Sequence, residues 1–384
     1  MTTNRRGSVA IVGAAESDLG AVAAGLSPTD LMAQAVLRAL RDAGLSPHDV
    51  DGLFACASQP RMTTMAICEY LRIDPRHHDV TYMGGSSFMT QLAHAQAAIE
   101  AGLCEVAVIA YASTQRSSGR NLVSPREPNP YETPYRPVLP ASAYALAASR
   151  HMHQYGTTRE QLAAVAVAAR EWALLNPAAW EKQPLTIEEV LAARMVSYPL
   201  TVRDACLVTD GGGAIVVTSA SRARSLRREP VYLLGSGEHL SHVSISSMPD
   251  LTVTGAARSG GIAYRKAGLS PSEIDVVEVY DAFTICTILF LEDLGFCPKG
   301  EGGRFVVERG IGPKGGLPVN TNGGGLSYCH PGQYGLLLLI EATRQLRGEC
   351  GERQVAGAET AIAHGNGGVL SSQSTVILGT AATL

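Results

Sequence analysis

The chain lacks long apolar runs, a surplus of basic residues and paired cysteines, and each absence removes a class of function. No stretch of about 18 apolar residues, the length that a membrane-spanning helix needs, occurs anywhere. The runs Leu162–Ala169 and Leu336–Ile340 are closed by Arg170 and Glu341. Near the start, Val9–Val12 is too short for a secretion signal and reads as a first buried strand. A net charge of −4 offers no basic surface to nucleic acid or an anionic membrane. The eight cysteines are scattered, with no C-x-x-C, which fits small buried side chains in a reducing cytoplasm. The close histidine pairs (His77 with His78, His151 with His153, His239 with His242) have no cysteine or carboxylate at zinc spacing, so no metal site is expected. One more absence stands out in TYMGGSSFMTQLAHAQAAIEAG, residues 81–102. A glycine turn opening a helix suits a nucleophile, because the helix N-terminus stabilises negative charge. This turn holds no cysteine, only Ser86 and Ser87.

What is present suits a compact α/β protein. The 384 residues are 46% hydrophobic and include 40 glycines. They also contain an internal copy. Residues 41–51, RDAGLSPHDVD, and 265–275, RKAGLSPSEID, are identical at seven of eleven positions. Each reads as a helix end, a glycine C-cap, a Ser-Pro turn and a strand, GLFACAS in the first copy and VVEVYDAF in the second. A glycine turn, a helix and a strand then follow in each: Gly84-Gly85, a helix to Gly102 and EVAVIAYAS; Gly323–Gly325, a helix to Gly348 and a strand near Gln354–Ala361. Alternation of this kind predicts mostly parallel sheets covered by helices, stacked around a buried central helix pair.

A long insertion separates the halves. It opens on a proline-rich polar loop and continues into helices around SAYALAASRHMHQYG and TREQLAAVAVAAREWALLN. Insertions this long usually cover a site, and Tyr131, Tyr135 and Tyr144 are placed to pack or to shape a pocket. The boundaries predicted are 1–112 plus 201–230 for the first half, 113–200 for the lid insertion and 231–384 for the second half.

The duplicated halves, the insertion and four blocks in order resemble the thiolase superfamily, more closely its lipid-transfer-protein and sterol-carrier-protein-x thiolase-like branch. The resemblance spans essentially the whole chain. It implies a duplicated five-layer αβαβα core, a homodimer and coenzyme A thioester chemistry, with coenzyme A part of the substrate and no tightly bound cofactor. A typical member carries a nucleophilic cysteine at the first buried helix, an Asn-Glu-Ala-Phe block, a Gly-His-Pro block and a late Cys-x-Gly-Gly block. Here the first block is GGSSF, its cysteine column falling near Gly85 or Ser86. The second is VEVYDAF, with Tyr280 in the Asn column and Asp281 in the Glu column. The third, GGGLSYCHPGQYG, keeps His330 and Pro331 and has Cys329 where glycine usually stands. The fourth is AHGNGG, with His364 in the late cysteine column.

His330, Tyr280 and His364 are therefore the main catalytic candidates, with Tyr328, Cys329, Ser86 and Asp281 secondary. Gly85, Gly324, Gly325 and Gly367 are the candidate contacts to coenzyme A. These are proton-transfer groups without an obvious nucleophile, and a serine hydroxyl is a poor substitute for a thiol. Such a set suits retro-aldol cleavage of a β-hydroxyacyl-CoA, with His330 and Tyr280 as the acid/base pair and His364 as proton carrier or enolate stabiliser. Two alternatives stand beside it: an acyltransferase using an unusual nucleophile such as Cys329, and a non-catalytic subunit or lipid-CoA carrier. Members resembling steroid side-chain aldolases pair with a separate partner carrying an OB-fold and a zinc ribbon. His94, Met83 and Met89 are expected to pack.

Overall fold

The structure is a computed structural model and describes residues 5–60, 62–118 and 129–384. Part of the proline-rich loop predicted at the start of the insertion, residues 119–128, lies outside them. The first half runs β1 (Val9–Glu16), α1 (Pro28–Ala43), β2 (Gly52–Ala55), α2 (Thr63–Leu71), β3 (His77–Asp79), α3 (Ser87–Glu100) and β4 (Val106–Ser113). The insertion contributes α4 (Ala141–Tyr155), α5 (Arg159–Leu174), α6 (Ile187–Ala192) and a small hairpin of β5 (Met195–Ser197) and β6 (Leu200–Thr201). The chain returns through β7 (Gly211–Ser219) and α7 (Ala220–Ala223). The second half is β8 (Val231–Leu240), α8 (Ala256–Ala267), β9 (Val276–Val279), α9 (Thr284–Asp293), α10 (Gly302–Glu308), α11 (Gly335–Leu346), β10 (Thr360–Gly367) and β11 (Ser372–Gly379).

The repeat is built identically in both halves. Gly44 (φ 75°) and Gly268 (φ 66°) end α1 and α8 in the left-handed conformation that a side chain disfavours. Ser46 with Asp49, and Ser270 with Glu273, then close reciprocal capping boxes. The last residue of each repeat pins the neighbouring strand. The Asp51 carboxylate accepts from the N–H groups of Glu105 and Val106 at 2.8 Å each, where β4 begins. Asp275 accepts from Glu359 and Thr360 at 2.9 Å each, where β10 begins.

Strands run in the order β3-β2-β4-β7-β1-β8-β11-β10-β9. The two half-sheets join at β1 and β8, where Ala10 faces Tyr232 and Ile11 faces Val231. Helix α1 covers one half from outside and α8 the other, while α3 and α11 touch strands of both. The result is five layers, helix–sheet–helix–sheet–helix. Both central helices are largely buried, α11 nearly all round, as a helix between two sheets must be.

Three sequence expectations need correction. The sheet is mixed rather than mostly parallel: among the described residues only the strand pairs β2–β3, β2–β4 and β9–β10 are parallel, because β7 and β11 return beside their neighbours as antiparallel strands. Strand β10 starts at Thr360, later than Gln354, because the Gln354 side chain turns the chain by donating to the Gln345 and Val355 carbonyls. His94 is not a packing residue: its Nδ1 is 2.5 Å from the Asp79 carboxylate, an ion pair that raises its pKa at a half-exposed edge.

Candidate active site

The N-termini of α3 and α11 meet at the centre of the molecule. A Cβ on Gly335 would lie 1.9 Å from the Gly85 carbonyl oxygen, so only glycine lets the two backbones approach this closely. Tyr280, just beyond β9, enters the same space. A Cβ on Gly85 would lie 2.0 Å from Cε2 of Tyr280 and 2.7 Å from Cδ2. The phenol ring thus fills the volume that a side chain at position 85 would occupy.

Tyr280 is anchored at its backbone, where its N–H donates to the His364 carbonyl at 3.0 Å. Its hydroxyl lies 3.0 Å from His330 Nε2 and accepts the Tyr334 N–H at 3.2 Å. That backbone donor leaves the phenol proton free to point at the imidazole. His330 is clamped from behind: its N–H donates to Thr209 Oγ1 at 2.9 Å, and its carbonyl accepts the Thr209 N–H at 3.2 Å. Tyr111, on β4, donates to the next carbonyl, that of Pro331, at 2.6 Å. The Tyr334 ring stacks on His330 with centroids 6.2 Å apart, and its hydroxyl donates to Asn322 Oδ1 at 2.7 Å.

Burial sets the protonation states. It pushes His330 down to about 4 and Tyr280 well above the usual phenol range, because each charged form loses its hydration. Near neutral pH the pair is a neutral imidazole beside a protonated phenol. Tyr280 and His330 keep 5% and 8% of their surface exposed, whereas Tyr334 and His364 keep none, so the first two are the ones solvent or a substrate can reach.

Residues 237–380 match the Thiolase C-terminal domain-like family. The 17-hydroxy-3-oxo-4-pregnene-20-carboxyl-CoA lyase of Mycobacterium tuberculosis is 34% identical, over 95% of this chain and 98% of its own length. The acetyl-CoA acetyltransferase of Methanothermobacter thermautotrophicus is 32% identical, over 94% of this chain and 96% of its own. Among solved structures, the Ltp2-ChsH2(DUF35) aldolase superposes with a TM-score of 0.89 at 30% identity, covering 98% of each chain. This chain belongs to the thiolase superfamily. Within it, the chain falls in the sterol-carrier thiolase-like branch that includes the steroid side-chain aldolases.

Seen as a thiolase-like site, the remaining candidates separate by their partners. The Asp281 carboxyl is buried beside the pair and accepts the N–H groups of Gly325 (2.7 Å) and Leu326 (3.2 Å). Burial raises its pKa to about 7. Gly324 and Gly325 serve as its cradle, since a Cβ on Gly324 would lie 2.0 Å from Asp281 Oδ2. Gly367 packs against the 83–86 turn, where a Cβ would meet the Met83 carbonyl and Ser86 Oγ. Ser86 Oγ is shared with Ser372 Oγ at 2.8 Å and donates to the Met83 carbonyl at 3.1 Å; neither partner is a base. Ser87 Oγ accepts the Met83 N–H and closes the same turn.

Three candidates point elsewhere. Tyr328 donates to Glu16, which is itself held by Arg344. Cys329 is buried with its sulfur 3.2 Å from Thr209 Oγ1, and burial pushes its thiol up to about 12. His364 lies on β10 with both ring nitrogens taken by side chains of β11, Nδ1 by Thr375 Oγ1 and Nε2 by Gln373 Oε1, each at 2.8 Å. An amide oxygen can only accept, so Nε2 carries the proton and Nδ1 accepts from Thr375. Burial pushes this ring too down to about 4.

From Gln373 the chain of donors continues: its amide donates to Asn366 Oδ1 (2.8 Å), and Asn366 donates to the Tyr144 hydroxyl (3.0 Å). Tyr144 comes from α4 of the insertion, is buried, and packs against Phe283 with centroids 4.7 Å apart and the rings tilted by 30°, whereas Tyr131 and Tyr135 are exposed. Tyr334, Asn366 and Gln373 were missed from sequence, while Tyr144 was expected there as a packing or pocket residue. Only Tyr334 carried a signal, four residues past His330 in HPGQY.

Among the described residues, no helix is long and apolar enough to cross a membrane, and no group of three or more metal-ligating side chains comes together.

Proposed function

We propose that this chain cleaves a β-hydroxyacyl-CoA by a retro-aldol reaction. The observation that carries the proposal is the Tyr280 ring in the space beside Gly85, bonded to a neutral His330. The group at the helix terminus is then a proton-transfer pair and not an acyl acceptor.

The Tyr280 oxygen takes the proton of the substrate β-hydroxyl while its own proton passes to His330 Nε2. The alkoxide forms a carbonyl as the Cα–Cβ bond breaks, and the bond's electron pair leaves as a thioester enolate. The imidazolium returns the proton through Tyr280 to the enolate carbon. The products are a ketone or aldehyde and a shortened acyl-CoA, with no net change in protons or electrons. Coenzyme A enters only as part of the substrate, and Gly85, Gly324, Gly325 and Gly367 help form the floor on which its thioester lies. His364, with both nitrogens engaged, is assigned to fixing the Gln373–Asn366–Tyr144 chain, not to carrying protons. A second copy of the chain and a separate subunit with an OB-fold and a zinc ribbon belong to the same proposal, as does the cytoplasm. Its support is the two-component Ltp2-ChsH2(DUF35) aldolase and the eight unpaired cysteines.

The similarity to an acetyl-CoA acetyltransferase favours acyl transfer as a second reading. It needs an acceptor, and Cys329 is a thiol whose buried partner is a threonine hydroxyl. The deciding experiment incubates the protein, alone and with a candidate partner, with a β-hydroxyacyl-CoA in the absence of free CoA. Release of a carbonyl product with no acyl adduct in the intact-mass spectrum is expected. A stable adduct on Cys329, Ser86 or Ser87 would sink the lyase and restore the transferase.

A further inference from the structure

Behind the site lies a buried carboxyl group that the reaction above does not use. Glu278, on β9 two residues before Tyr280, is fully buried. Its Oε1 lies 2.9 Å from Thr321 Oγ1 and 3.1 Å from the Thr321 N–H, and its Oε2 has no partner among the described residues. Thr321 Oγ1 is also 2.8 Å from Glu341 Oε1 and accepts the Gln345 amide at 2.9 Å.

A hydroxyl has one proton and two lone pairs. The Thr321 hydroxyl cannot donate to both carboxylates, and one lone pair is already taken by Gln345. The arrangement closes if Glu278 carries the second proton: Glu278 donates to Thr321, and Thr321 donates to Glu341. Charge counting gives the same answer. The cation in this cluster, Arg353, makes a bidentate pair with Glu341 at 2.9 Å through Nε and Nη2, and none of its bonds goes to Glu278.

We infer that Glu278 is a positioning residue, held as a neutral carboxylic acid, which fixes Tyr334 and through it the Tyr280 hydroxyl. The path is continuous. Glu278 holds Thr321 by side chain and backbone. The next residue, Asn322, accepts both the Gly324 N–H (2.8 Å) and the Tyr334 hydroxyl (2.7 Å). Tyr334 then offers its own N–H to Tyr280. An ionised Glu278 would have to be met by a reversed Thr321 hydroxyl, which would take from Glu341 Oε1 the hydroxyl donor 2.8 Å away.

The titratable and charged groups facing Glu278 are Glu341 on α11, Arg353 and Cys350 in the turn before β10, Asp281 two residues past β9, and Tyr334 ahead of α11. Burial and the Glu341 charge both raise the Glu278 pKa well above the ordinary range. A group raised in the folded state favours folding less and less as pH climbs above its unfolded value, about 4.3 for glutamate.

The test compares wild type with E278Q, which copies the neutral acid, and E278A, which removes the donor. Infrared difference spectra near neutral pH should show a protonated-carboxyl carbonyl band in wild type that is absent from E278Q. E278Q should melt above wild type at about pH 8, the gap closing toward about pH 4. Absence of the band, or a gap that does not change with pH, would overturn the neutral acid. The positioning role rests on the proposed reaction only for its rate readout: E278Q should keep kcat within about twofold, and E278A should lose about tenfold or more in kcat with little change in KM. An unchanged kcat in E278A, or a crystal structure of E278A with Asn322 and Tyr334 unmoved, would overturn it. A wild type that cleaves no β-hydroxyacyl-CoA would fail the reaction alone, since the band, the melting shift and the crystal structure are read without substrate.

Discussion

Adding a single methyl group at Gly85 should disable the site. Gly85 does not have a positive φ, so Gly85→Ala imposes no backbone strain and acts through space alone. Ordinary carbon contacts lie at about 3.5–4.0 Å. The new Cβ would sit 2.0 Å from Tyr280 Cε2, so the ring must shift by more than 1 Å. It has little room, being enclosed edge-on by Tyr334 (6.0 Å) and His330 (5.6 Å). Overpacking of this kind costs about 1–3 kcal/mol. The shift also pulls the phenol away from Nε2, and a misplacement of about 1 Å lowers rates by about 100-fold. Tyr280→Ala alone leaves a cavity and costs about 3–5 kcal/mol. In the double variant the alanine at 85 meets no ring and keeps only the close approach to the Asn366 carbonyl oxygen at 2.8 Å, so the penalties should not fully add: a coupling of about 1–3 kcal/mol in favour of the pair is expected. Equilibrium denaturation of the four proteins measures that coupling, and the β-hydroxyacyl-CoA assay measures the rate. Additive stabilities within about 0.5 kcal/mol, or a Gly85→Ala enzyme with wild-type rate, would refute the steric complementarity.

Three further outcomes follow from the same geometry. Burial disfavours the His330 imidazolium, so the acid limb of the kcat/KM profile should fall toward about 4; an inflection near the ordinary histidine value of about 6.5 would show that the ring is not buried during catalysis. Cys329 is a buried thiol pushed up to about 12, so iodoacetamide should leave activity intact and Cys329→Ser should retain the rate; inactivation in step with labelling of Cys329 would contradict this. Asp281→Asn presents an amide where two backbone N–H groups need acceptors, and the loss of one acceptor should cost about 1–3 kcal/mol in a denaturant titration; an unchanged midpoint would show that the Gly325 and Leu326 donors find other partners.

Much of the frame is local, which is why it was legible. The glycine C-caps, Ser-Pro turns and acidic capping residues of the two repeats act within a few residues of themselves. What failed depended on partners far along the chain. The antiparallel β7 comes back only after the insertion, and no periodicity in β4 announces it. His94 looks like any helix residue until β3 brings Asp79 to it. His364 occupies a column associated with proton transfer, and only the β10–β11 register, which sets it opposite Thr375, reveals that its nitrogens are consumed within the sheet. Tyr144 was expected only to pack or to shape a pocket, and its place at the site becomes clear once α4 brings it against Phe283.

The same contrast explains the cysteine that the first turn lacks. Position by position, the blocks suggest a thiolase stripped of its nucleophile at 85–86 and of its asparagine at 280. In space the two changes meet. The absence of a side chain at 85 is what admits an aromatic ring at 280, and the ring is what keeps the centre of the molecule filled. A phenol at that place also brings a hydroxyl within 3.0 Å of the imidazole, which an asparagine at the strand end has no ring to carry so far. The vacated volume and the new proton donor are therefore one feature. The chemistry open to it is that of a proton moved and a carbon–carbon bond released, without a covalent acyl-enzyme.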